Sequence, residues 1–197
     1  KDGRTILCEW YTTPIICKNG TVTGIAALVQ DITERKLLEE KLTQAAYVFS
    51  HALEGIIITD ANGNIIDVNN TFIDITGYER DEVLGKNPNI IQSKRQSLEF
   101  YQQLWKSLAD TGQWHGEIWD KRKNNQVFPA KLSISAVYND SGEVKNYIAV
   151  FTDITDVKAH QHQLEHMAHY DVLTNLPNRT LLSDRLNQAI ILNKRSK

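Results

Sequence analysis

Apolar residues between positions 55 and 68 come in two short β-branched runs. "GIIITD" (Gly55 to Asp60) and "IIDVN" (from Ile65) flank "ANGN", whose Asn-Gly centre predicts a hairpin turn. The pattern then changes. "NTFIDITGY" is short and helix-like and stops at Gly77, and "ERDEVLG" is a second short helix that stops at Gly85. Pro88 is expected to break the following stretch. "SLEFYQQLWKSLADTG" places Leu98, Tyr101, Leu104, Trp105 and Leu108 at helical spacing before Gly112, a C-terminal stop. Three strands follow, roughly Trp114 to Lys123, Gln126 to Tyr138 and Val144 to Asp153. "KLSISAVY" alternates polar and apolar residues, the mark of a half-buried antiparallel strand. Two strands, a group of helices and three strands predict an α+β fold with one five-stranded antiparallel sheet, helices on one of its faces and linker helices at its flanks.

The chain also repeats itself. Asp-Ile-Thr occurs at Asp31 and again at Asp153, 122 positions later, each time between an apolar run and a charged, helix-like run. At that offset the register holds without a gap. Lys1-Asp2-Gly3 falls on Lys123-Asn124-Asn125, Asn19-Gly20 falls on Ser141-Gly142, and "GIAALVQDIT" falls on "NYIAVFTDIT". The period is too long for a solenoid and matches a small domain plus its linker. The first ~33 residues therefore read as the last third of one domain, ahead of a complete copy. On this reading the chain begins inside a domain and is an excerpt of a longer protein.

The repeated motif sits where a strand gives way to a helix. Asp and Thr both cap helix N-termini by accepting hydrogen bonds from unpaired amides. Asp31, Thr33, Asp153 and Thr155 are thus expected to join each sheet to its outgoing helix and to relay a signal there. After the first copy, Leu38, Leu42, Ala45, Phe49 and Ala52 have the 4-3-4-3 spacing of a coiled-coil seam. After the second, Val157, His160, Leu164 and Met167 form a weaker, wetter seam. A homodimer through these helices is the expected assembly.

"TDANGNIIDVNNTFIDITGYERDEVLGKN" resembles the front half of a PAS sensory domain, and "WHGEIWDKRKNNQVFPAKLSISAVYNDSGEVKNYIAVFTDIT" resembles its back half. The matching positions include Thr59-Asp60, Gly63, Asn69, Phe72, Gly77-Tyr78, Glu82, Gly85 and Asp153-Ile154-Thr155. "HMAHYDVLTNLPNR" resembles the opening segment of a GGDEF domain, the diguanylate cyclase family, with Asn178 as a helix cap and Leu181, Leu182, Leu186 and Ile190 as a helical stripe. These resemblances imply the end of a preceding PAS domain over 1–33, a linker helix over 34–50, a complete PAS domain over 51–155, a second linker helix over 156–169 and the start of a GGDEF domain over 170–197. The Gly-Gly-Asp/Glu-Glu-Phe turn of that last family is absent from this stretch, so it carries no cyclase chemistry of its own. A phosphodiesterase domain commonly follows GGDEF in proteins of this look. The implied role is a sensory relay that regulates cyclic di-GMP output. The rival readings are a redox-sensing flavin domain and a ligand-free dimerisation module.

PAS domains often hold a ligand between sheet and helices, and the resemblance points to Ile58, Phe72, Tyr78, Trp105, Trp114 and Ile134 as candidate pocket lining. Residues 78–112 contain no Cys for flavin adduct photochemistry and no His for axial haem ligation. Haem is therefore disfavoured. A spacing shared with redox flavin relatives, Leu104-Trp105, Leu108, Trp114 and Arg122, keeps flavin as a candidate. Without a ligand, Trp105, Trp114 and Trp119 would fill the core.

Composition excludes other classes. The 197 residues are 41% hydrophobic, and 22 basic against 24 acidic residues leave a net charge of −2. That balance gives no field to draw nucleic acid or an anionic membrane. No apolar run approaches the ~20 residues of a membrane span, and "KDGRTILCEW" has no apolar core of a signal peptide. Cys8 and Cys17, nine steps apart on one extended strand, would be roughly 30 Å apart, beyond reach of a disulfide. Two half-buried free thiols suit a reducing compartment, the cytoplasm. "HQLEH" (His162 to His166) matches the inverted zinc-protease pattern, but lies in a linker helix with no cleft and reads as a solvated face. No nucleophile elbow and no phosphate loop is present.

Overall fold

The computed structural model describes residues 5–18, 20–171, 174, 176–179 and 181–183. The chain divides into two compact units, Lys1–Ala52 and Leu53–Lys197. No helix among the described residues is long and apolar enough to cross a membrane.

The first unit is a hairpin and a helix. Strand β1 (Cys8–Ile16) pairs antiparallel with β2 (Val22–Asp31), and α1 (Thr33–His51) follows. Gly20, at φ +82°, supplies the left-handed turn residue between the strands. None of the described residues of this unit is buried, and Trp10 and Ile25 are 65% and 70% exposed. Cys8 and Cys17 are free thiols, and Cys17 is exposed rather than half-buried because it lies in the turn.

The second unit carries the core. Its five-stranded sheet has the order β4-β3-β7-β6-β5, with β3 Gly55–Asp60, β4 Ile65–Val68, β5 Gln113–Lys121, β6 Val127–Tyr138 and β7 Val144–Asp153, and every pair is antiparallel. Between β4 and β5 come α2 (Asn70–Thr76), α3 (Arg80–Val83), a 3-10 turn (Pro88–Ile91) and α4 (Leu98–Thr111); α5 (Thr155–His169) follows β7. This is the expected α+β architecture. Ile57, Ile65, Phe72, Val83, Phe128 and Phe151 form the buried centre between sheet and helices. Gly55 is required there: a Cβ would stand 2.4 Å from the Phe151 ring.

Pro88 starts the 3-10 turn rather than breaking the chain. The missing amide of proline is no loss at a first helical position, and the Asn87 side chain caps the turn by accepting from the Asn89 amide. The tryptophans do not fill the core as expected: Trp105 is 50% and Trp119 37% exposed, and Trp114 is half-buried, edge-on to Phe100. Phenylalanines and β-branched residues occupy the centre instead.

The repeat is structural as well as sequential. Cys8 pairs with Asp31 as Ala130 pairs with Asp153, and the register slips after Ile15 as it does after Val137. Each of these pairs is related by the same 122-residue offset.

Asn69 fastens helix α2 to the sheet. It is 2% exposed, its Oδ1 accepts from the Phe72 amide at 3.0 Å and the Ile56 amide at 2.8 Å, and its Nδ2 donates to the Glu54 carbonyl at 2.9 Å. Removing that side chain takes away a cap and orphans buried backbone groups. Asn69→Ala should lower unfolding free energy by about 2–4 kcal/mol. A urea midpoint within experimental error of the parent would refute this account of the junction.

Candidate functional site

Strand alternation and helix periodicity build a cavity of about 110 Å3. Ile57 and Thr59 reach it from β3, Ile118 and Asp120 from β5, Leu132 and Ile134 from β6, and Tyr147, Ala149 and Phe151 from β7. Each set is spaced by two, as residues on one face of a sheet must be. Opposite them, α4 contributes Tyr101, Leu104 and Trp105, at i, i+3 and i+4 of one helical face. The segment 87–92 completes the wall.

The polar groups of this wall fall into two kinds. Thr59 donates to the Asp60 carbonyl, Asn87 to the Gly63 carbonyl and Gln92 to Asn89 Oδ1. Asp120 and Tyr101 differ. Asp120 is 4% exposed and makes no side-chain hydrogen bond or ion pair among the described residues. Burial pushes its carboxyl up to about 7. The Tyr101 hydroxyl is buried with no hydrogen-bond partner. Burial raises its pKa, and the nearby Asp120 charge raises it further. Among the described residues, no Lys, Arg or His lines the cavity.

Of the six residues expected to line a pocket, Trp105 and Ile134 do so. Ile58 is one residue out of phase: β3 turns Ile57 and Thr59 inward and Ile58 to the other face. Phe72 is wholly buried in the adjoining core, Tyr78 packs beside Lys123 and Trp114 packs on Phe100, and none of the three borders the cavity. Tyr101 is expected from sequence only as part of the apolar face of α4, and Asp120 is not expected at the site. The signal for Asp120 was its phase, since it stands two after the apolar Ile118 on one strand.

A cavity of this size compares with the roughly 150 Å3 site that takes benzene. It does not enclose a three-ring flavin or a haem as built, and it offers no cation to a flavin phosphate or a haem propionate. The residues present do not fit those cofactors.

At the end of β7 the sheet meets α5. Asp153 Oδ1 accepts from the Thr155 amide at 2.8 Å and the Thr155 hydroxyl at 2.5 Å. Its other oxygen is paired with the Arg122 guanidinium, which also donates to the Ile75 carbonyl at the end of α2 and lies 4.4 Å over the Phe128 ring. Burial pushes Asp153 up, but the Thr155 hydrogen bonds and Arg122 outweigh it and hold the carboxyl below its usual value. Ile154 between them is buried, and its amide donates to the Pro129 carbonyl at 3.0 Å. The capping is therefore not as expected. By backbone position the cap residue is Ile154, with no side-chain cap bond. Asp153 stands one residue too early to reach the second or third amide, so it holds the first, and Thr155 donates instead of accepting. Asp31 and Thr33 repeat the amide bond at 2.9 Å, and the Ile32 amide donates to the Leu7 carbonyl.

Past α5, Asn178 Oδ1 accepts from the Leu181 amide at 3.0 Å, the cap expected there. The remainder of that stripe, Leu186 and Ile190, lies outside the described residues.

The family profile described as "PAS domain" matches residues 1–34 and 53–156. The chain belongs to the PAS domain family. Among curated proteins, this PAS chain is 30% identical over 140 residues to a nitrogen fixation regulatory protein of Klebsiella oxytoca, covering 70% of this chain and 28% of the relative. It is 28% identical over 158 residues to the cyclic di-GMP phosphodiesterase PdeR of Escherichia coli K12, covering 78% of this chain and 23% of the relative. The chain thus spans less than a third of either protein. The crystal structure of a PAS domain from Colwellia psychrerythraea shares the fold, with a TM-score of 0.56 and 22% identity over 59% of this chain and 98% of that one.

The buried Asp120 makes a pH prediction for this PAS domain. Its folded pKa, about 7, exceeds the usual ~3.9 of an unfolded aspartate. The folded state therefore binds more protons between those values, and stability falls as pH rises through that window. The whole cost of ionisation is on the order of 4 kcal/mol. Asp120→Asn should remove this fall from denaturation curves recorded between pH 4 and 8. An unchanged pH slope in the variant would show that Asp120 does not titrate in that range.

Proposed function

We propose that the second unit is the sensing part of a signalling protein, in which a small molecule held in the cavity alters the helix that leaves the sheet. One observation carries this reading. Tyr147, Ala149 and Phe151 of β7 line the cavity, and Asp153 is the next residue on the same strand face. On β5, Ile118 and Asp120 line it, and Arg122 is the next in that series. Both partners of the ion pair thus stand one step beyond a cavity wall residue. A ligand that shifts either strand shifts the pair, and the pair holds the start of α5. Lys158 of α5 also reaches back to Glu117 of β5, at 2.7 Å.

The organisation proposed around it follows the repeat. Residues 1–33 close a preceding PAS domain, 34–50 and 156–169 are linker helices, 51–155 form the complete sensor, and 170–197 open a GGDEF domain. The Asp171 to Arg179 pattern and the similarity to PdeR support a cyclic di-GMP output. The free thiols fit the cytoplasm. The chain associates through α1, where Leu38 and Leu42 are 59% and 62% exposed along one seam.

Two measurements test this. Arg122→Ala should destabilise the domain by about 2 kcal/mol and change basal cyclic di-GMP in cells carrying the full-length protein by at least threefold. Arg122→Lys, which cannot hold both partners in one planar fork, should do the same more weakly. Unaltered output in folded Arg122→Ala would remove the pair from the relay. Separately, Leu38→Glu with Leu42→Glu should convert dimer to monomer in analytical ultracentrifugation; a parent chain already monomeric at high micromolar concentration would refute the seam.

A further inference from the structure

We infer that the cavity's ligand is a small organic cation, a protonated amine or amidine on a single ring or short apolar chain, whose nitrogen pairs with the Asp120 carboxylate. This rests on the sensing reading above and names the class of molecule sensed.

Charge decides the sign. Among the described residues, Asp120 is the one acidic side chain lining the cavity, and no basic side chain lines it. The other titratable groups there are the phenols of Tyr101 from α4 and Tyr147 from β7. An anionic ligand would lie against a carboxylate with nothing to neutralise it. A neutral apolar ligand would leave the Tyr101 hydroxyl without a partner and the buried Asp120 carboxylate with nothing to offset its burial. Buried groups of this kind are ordinarily satisfied, and an ammonium or amidinium carries N–H donors for both.

The aromatic walls agree. Trp105 and Tyr147 both border the cavity and meet edge-to-face, with ring centres 6.0 Å apart at 81°. Trp105 is half exposed, so an indole stands between cavity and solvent. Ring faces attract cations, indole most strongly. The volume, about 110 Å3, sets the size at one ring or a short chain.

Four probes of one shape separate charge from fit: benzylamine, benzamidine, benzyl alcohol and benzoate. Binding is measured by calorimetry and thermal shift on the whole chain at pH 8, where Asp120 is ionised. The two cations should bind at least tenfold more tightly than benzyl alcohol, and benzoate should not bind. Asp120→Asn should lose at least tenfold in benzylamine affinity while keeping its affinity for benzyl alcohol. Tyr101→Phe should weaken benzylamine severalfold. Equal binding of alcohol and amine refutes the cationic ligand while leaving a ligand-binding sensor. Binding of none of the four refutes it too, and the sensing reading is then judged by the Arg122 variants, which need no ligand. Should Asp120→Asn fail to fold, the parent's ranking of the four probes decides.

Discussion

The ion pair between Arg122 and Asp153 ties together elements far apart in sequence. Arg122 lies just past β5, Asp153 ends β7, and Ile75 lies at the end of α2; the guanidinium reaches both partners. Its side chain and that of Asp153 are each about one-fifth exposed. A pair so placed is partly withdrawn from water, so neither partner can be removed without leaving the other poorly solvated. The Phe128 ring beneath the guanidinium fixes its plane. Next to it, the Lys123 amide donates to the Thr76 carbonyl and its ammonium to Glu82. The β5–β6 turn is thereby held to α2 and α3 on one side and to the root of α5 on the other.

The Asp-Ile-Thr repeat follows from the same geometry. Ending a strand and starting a helix within three residues leaves amides without partners. Aspartate covers one, the isoleucine pins the turn through its amide, and the threonine begins the helix. Both copies make the Asp-to-Thr amide bond and the isoleucine-to-carbonyl bond, 122 residues apart. The shared register slip and the glycine at each hairpin turn, φ +82° and +78°, extend the correspondence through whole strands. Such agreement in backbone detail says that one local solution serves twice.

Much of this was legible in the sequence. The element order, the sheet class, the glycine stops of α2 and α4 and the hairpin at Asn62-Gly63 follow from periodicity and turn chemistry, which are local. What was not legible was phase and partnership. β3 reads "GIIITD", apolar at three consecutive positions, so alternation could not say whether Ile57 or Ile58 faces the helices; only the tertiary structure decides it. The tryptophans misled for a related reason. Hydrophobicity marks them as core, but their size suits a cavity rim or a sheet surface, and the smaller phenylalanines fill the centre. The partnership of Arg122 with Asp153 spans 31 residues, beyond any spacing rule.

Asp120 shows how a cost to the fold can serve a site. A carboxylate in an apolar wall, with no donor among the described residues, opposes folding at neutral pH; asparagine or leucine there would not carry that charge penalty. Within this wall the Tyr101 hydroxyl has no partner and the Asp120 carboxyl is buried, while Thr59, Asn87 and Gln92 are bonded to the chain itself. A molecule that supplies the missing donors recovers what burial took away, so its binding and the domain's stability are linked. The strands that lead to the two partners of the ion pair, β5 into Arg122 and β7 into Asp153, are also walls of this cavity. A change in solvation at Asp120 therefore acts two residues from Arg122, and the chain that separates them is a single extended strand end, too short to absorb a displacement. On the proposed reading, this short strand end between Asp120 and Arg122 is what joins the cavity to the start of α5.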